Sequence, residues 1–313
     1  MRVSPWKARC AAGIVRTGLA LVGLVVALSP AATQVDRPTE ETLRSLQERA
    51  RQIALYLQAV ERTDELLKVQ GSGAPPSDRT LVLPEAGGWR VLCLKDMAKE
   101  TGVPGGAPRP ALVIVGETTF SPDSGQVGTL GLIVPPRSAP AAIQAYGRAL
   151  EQAETATLGL PETTRPLEDA VIREKDSTFT VYVVSRKPEE APAAAGVAPG
   201  SVVIGRDFMV RVAASGRQVL TVEKLHDGEG VLSLLPRPPG APILHEHDKG
   251  DLPAPTDVAL VLRHPVLAPL LVLTGRFMFR VDREGGVTWL GPNPNPPARP
   301  APAPSPPRPG GGR

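Results

Sequence analysis

The chain has 313 residues, enough for one large domain or two small ones, and 42 % of them are hydrophobic, an ordinary share that supplies a real core. The formal net charge is +3 with no dense basic patch, so no nucleic-acid partner is expected. Aromatic residues are sparse at 4 %, and 10 of the 36 prolines fall between residues 292 and 309, which assigns much of the proline excess to one end of the chain.

The first 31 residues read as a secretory signal peptide. Arg2, Lys7, Arg9 and Arg16 form a basic region, residues 19–28 are apolar, and Ser29-Pro30-Ala31 is a small-x-small cleavage site. The expected location is therefore outside the cytoplasm, periplasmic or extracellular. An uncleaved membrane anchor is the alternative, although Arg16 confines the uninterrupted stretch to 17–33, below the roughly 20 residues of a spanning helix. Cleavage would remove Cys10 and leave Cys93 alone, so no internal disulfide is expected. Cys93 lies in the apolar run "RVLCL", the setting of a buried, inert thiol.

A long amphipathic helix is predicted over 38–70. Thr39 is positioned to cap it, and Glu40 and Glu41 suit its positive N-terminus. Leu43, Leu46, Ala50, Ile53, Leu57, Val60 and Leu67 recur at steps of three and four, interrupted only by Asp64. Such a stripe packs on its own domain or forms the seam of a coiled-coil homodimer through residues 38–70. "GSGAPPS" ends it.

Residues 78–186 read as a mixed α/β lobe. "LVLP", "WRVLCL", "ALVIVGETTF", "TLGLIVPP" and "STFTVYVVSR" have strand character, and "APAAIQAYGRALEQAETATLGL" is a helix of about five turns. Residues 187–200 have linker composition, either a long loop within one domain or a joint between two lobes. Residues 201–291 form a strand-rich lobe. Within it "SVVIGRDFMVRVAASGRQVLTVEKL" reads as a hairpin turning at "ASGR", and "LLVLTGRFMFRVDREGGVTWLG" as a second turning at "REGG". Residues 292–313 are a Pro/Gly-rich tail with the composition of disorder. The fold class is α+β.

All four histidines fall between His226 and His264. His245 and His247 are an i, i+2 pair at the end of an apolar run, and at a strand end both face the same side. After the turn "LPAPT", Asp257 opens "DVALVLRH", a short helix whose start returns toward the strand. Two imidazoles and one carboxylate, with the fourth tetrahedral position open to water, make a catalytic zinc arrangement. His245, His247 and Asp257 are thus the candidate metal ligands and zinc the candidate ion. His226, in "KLHDGEG", reads as a turn residue, and His264, before Pro265, as a helix end.

Residues 243–290 resemble the JAMM family of zinc metalloproteases and isopeptidases, whose motif is His-x-His-Pro, about six residues, then Ser-x-x-Asp, with an upstream glutamate as general base. His245 and His247 match the histidine pair and Asp257 the aspartate; helix and strands follow in the same order. Asp248 stands at the proline, and His247 and Asp257 are 10 positions apart, one fewer than usual. Thr256 does not match the serine, and none of Glu189, Glu190, Glu223 and Glu229 is placed as the base. The resemblance implies zinc-dependent hydrolysis of peptide or isopeptide bonds. Without the base, the expectation is an exported bacterial envelope protein acting as a non-catalytic binding or structural module, with an envelope protein or the cell wall as partner.

Overall fold

The computed structural model describes residues 37–70, 77–97, 112–158, 160, 167–185, 200–228, 230–235, 237–238, 240–247 and 249–296. The signal peptide read over 1–31, residues 187–199 and the tail from 297 onward lie outside the described residues. Three α-helices and fifteen strands are present among the described residues, and the class is α+β. No described helix is long and apolar enough to cross a membrane.

Helix α1, Glu40–Gln70, begins where expected, with the Thr42 amide donating to Thr39 Oγ1 at 3.1 Å. Its stripe faces inward: Leu43, Leu46, Ala50, Ile53 and Leu57 are buried in the chain's own core, joined by Tyr56 and Ala59. Five of the seven stripe residues are thus covered within one chain, while Val60 and Leu67 are half-buried. Asp64, the break in the stripe, accepts a hydrogen bond from Thr80 Oγ1 at 3.2 Å, which explains a carboxylate in that row.

Strands β1 (Arg79–Glu85), β2 (Gly88–Asp96) and β3 (Leu112–Ser121) form an antiparallel meander, and β4 (Gln126–Val127) and β5 (Gly131–Ser138) both pair with β3. Helix α2, Ala141–Leu158, packs on the next sheet through Ala145, Ala149 and Ala153. That sheet contains β6 (Leu167–Arg173), β7 (Phe179–Ser185), β9 (Phe208–Val212) and β10 (Val219–Lys224) in the order β10-β9-β7-β6. β7 and β9 are antiparallel neighbours. Strands β7 and β9, which flank the linker-like residues 187–200 in the chain, thus share one sheet. The physical reason is that β7 is an interior strand, whose backbone groups need β6 on one side and β9 on the other.

Two expectations change. The first arm of the "ASGR" hairpin is two strands, because Gly205 turns the chain with φ +89°. The leading piece, β8 (Ser201–Ile204), leaves to pair with β11 (Gly230–Ser233). The strand β6, "LEDAVIR", has no counterpart in the sequence reading, since its Glu168, Asp169 and Arg173 dilute the apolar signal.

The last sheet has the order β12-β13-β14-β15. Strand β12 (Ile243–Glu246) leads into α3 (Pro255–Arg263), which returns the chain to β13 (Leu270–Leu273), parallel to β12. Strands β14 (Phe277–Val281) and β15 (Val287–Pro292) complete it as the expected hairpin. Helix α3 lies along α1, and Val258, Ala259 and Val261 join the same core as Ile53. Arg263, its side chain 8 % exposed, fixes the far end of α3 through Glu168 of β6 at 2.5 and 3.3 Å.

Candidate metal centre

Strand β12 alternates as an edge strand with one buried face. Leu244 and Glu246 point to solvent while His245 points inward, and His247, one residue past the strand, is buried on the same side. The His247 amide donates to the Leu273 carbonyl at 2.7 Å, which carries the parallel pairing one residue beyond the strand and fixes the second imidazole.

Asp257 stands in the first turn of α3. Pro255 opens the helix, and Asp257 Oδ2 accepts the Ala254 amide at 3.0 Å. The carboxylate is thereby held at the positive end of the helix, where an anion is favoured. His264 ends α3 as expected, its amide donating to the Leu260 carbonyl at 2.9 Å, and takes no part in the site.

The structure brings His245, His247 and Asp257 to one point and adds His226. The four ligand atoms all lie within 4.8 Å of one another. His226 Nε2 is 2.9 Å from Asp257 Oδ1, His245 Nε2 is 3.3 Å from the same oxygen, and His247 Nδ1 is 3.6 Å from Oδ2. Bonds of about 2.0–2.1 Å in a tetrahedral zinc site put neighbouring ligand atoms about 3.3 Å apart. The two distances to Oδ1, 2.9 and 3.3 Å, lie near that value, while the set as a whole spans up to 4.8 Å. Relative exposures are 1 % for His226, 7 % for His245, 4 % for His247 and 2 % for Asp257, so the ligand shell is interior.

His226 follows the end of β10, in a different sheet from the strand β12 that leads to the other two histidines. Its "KLHDGEG" context reads as a turn, and it does leave a strand end, but into the interior. Only the clustering of the histidines along the chain signalled it. Two contacts seat it: the Leu225 amide donates to the Asp207 carbonyl at 2.9 Å, and Lys249 Nζ donates to the Lys224 carbonyl at 2.9 Å.

One carboxylate faces three imidazoles and one backbone amide. Asp257 takes the bond from His226 and the Ala254 amide, whereas the buried His245 Nε2 at 3.3 Å lacks hydrogen-bond geometry. Coordination of a cation by this nitrogen would replace that long contact with a direct bond. Burial favours the neutral acid of Asp257, but the charge of His245 and the His226 hydrogen bond outweigh it and hold the carboxyl well below the usual range. The ligand is thus a carboxylate at neutral pH. Three imidazoles and one carboxylate suit zinc or a similar transition-metal ion, whereas calcium and magnesium favour oxygen shells.

Among the described residues no glutamate joins the four. Glu223 is exposed on β10 and Glu246 on the outer face of β12, while Glu189, Glu190 and Glu229 lie outside the described residues. Cys93 is buried on β2, in another sheet, and burial pushes its thiol up to about 11, which suits the inert role expected of it. Comparison with known protein families, characterised proteins and solved structures finds no match.

Proposed function

We propose that this protein is a non-catalytic metal-binding module in which His226, His245, His247 and Asp257 hold one zinc ion as a structural element. The observation that carries this reading is the convergence of four buried ligand atoms within 4.8 Å, drawn from two sheets and a helix. Four protein ligands fill a tetrahedral shell, which is the pattern of structural zinc; a hydrolytic ion keeps a position for water and needs a base beside it. The peptidase chemistry implied by the resemblance to the JAMM family lacks both features among the described residues. The basic and apolar N-terminal sequence supports reading the module as a binding or structural component of the bacterial envelope, on the outer side of the cytoplasmic membrane.

Metal content tests the reading. Full-length protein refolded with equimolar zinc and dialysed should retain one ion per chain, and His245→Ala should lose it. Zinc-free protein after that treatment, or equal retention by the variant, overturns the proposal.

A further inference from the structure

The four ligands divide by origin. His245, His247 and Asp257 belong to one strand-to-helix step, β12 into α3. Taken alone, two imidazoles and one carboxylate make an open centre, with a fourth position for water. His226 enters from the β10 side, and its Nε2 is the imidazole nitrogen nearest Asp257 Oδ1, at 2.9 Å. Its ring is 4.7 Å from that of His247 and 5.3 Å from that of His245, centroid to centroid, so it faces both.

His226 is held in place from both sides. Its predecessor is tied to Asp207, and Lys224 is tied to Lys249, two residues beyond His247. Lys249 also lies 3.5 Å from Asp227 Oδ1. The segment carrying the third imidazole is thereby fastened to the segment carrying the other two. The ring itself is 1 % exposed and hydrogen-bonded to Asp257.

We propose that His226 is the closing ligand of an otherwise open His-His-Asp zinc centre. It occupies the position where a hydrolytic ion would keep water, so the ion accepts no outside ligand until that imidazole is removed. Small anions and free imidazole are the ligands the opened position would take. This inference rests on the zinc reading above.

Cobalt(II) in place of zinc gives a visible spectrum that reports coordination. The cobalt-loaded full chain should show tetrahedral bands that azide and imidazole leave unchanged. His226→Gly should still bind one cobalt, and its bands should shift saturably with either ligand. If the wild-type chain takes up no cobalt or zinc, the metal reading itself fails and this inference with it. If the wild-type bands shift with azide, or the metal-loaded variant gives no shift, metal binding by His245, His247 and Asp257 stands but the closing role of His226, and with it the filled four-ligand shell, is overturned. X-ray absorption on the wild-type zinc protein decides the matter even where the variant does not fold: three imidazoles in the shell are expected, and two contradict the proposal.

Discussion

Asp257 meets three imidazoles and one backbone amide with two oxygens. Replacing it with Asn keeps an acceptor for Ala254 but removes the anion. At zinc a thousandfold above Kd, binding to the native state alone stabilises by about 4 kcal/mol. Asp257→Asn should lose most of that zinc-dependent gain in thermal melts; an equal rise in Tm for both proteins would exclude Asp257 as a ligand. Cys93 offers a contrasting buried group. With its thiol near 11, only about one molecule in a thousand is thiolate at pH 8. In a Cys10→Ser background, a thiol-specific reagent should label Cys93 only after unfolding, and stoichiometric labelling of the native protein would contradict its burial. Three of the four site residues were legible because they share one local step: alternate strand residues face one side, and a proline-rich turn brings the helix start back. His226 was not, because its placement depends on how the β9–β10 hairpin sits against another sheet, and no spacing along the chain encodes that.

At the scale of elements, α1 shows what periodicity does and does not fix. Its steps of three and four identified a buried stripe, but the same stripe serves a core or a coiled coil; only the position of α3 and the sheets decides. Ile53, fully buried at the middle of the stripe, should cost about 2–5 kcal/mol on Ile53→Ala in denaturant unfolding. A cost near zero would mean that the stripe packs elsewhere. The turn of the β9–β10 hairpin makes a second element-level test. Gly216 has φ +71°, and a Cβ there would fall 2.1 Å from the Ala145 carbonyl oxygen of α2. Gly216→Ala combines an unfavourable backbone conformation with a backbone collision, so it should destabilise by at least about 1 kcal/mol. An unchanged melt would show that this turn does not dock on α2. The turn itself was legible from "ASGR", but the split at Gly205 was not, because the run "SVVIGRDFMVRV" is apolar enough on both sides to read as continuous.

At the scale of the molecule, the proposed ion lies where the end of β10, the edge strand β12 and the start of α3 meet. It would therefore fasten one sheet to another. The strand-rich C-terminal part and the long first helix were apparent from composition and period, whereas the sharing of one sheet by residues 167–185 and 208–224 was not, since pairing across 187–200 is a non-local choice. The most direct test of the whole account is anomalous diffraction at the zinc edge from crystals of the zinc-treated protein. The expected result is one peak inside the cluster, about 2.0–2.2 Å from an imidazole nitrogen of each of His226, His245 and His247 and from a carboxylate oxygen of Asp257. No peak among these four residues, with the imidazoles hydrogen-bonded to one another or to water instead, would contradict the account.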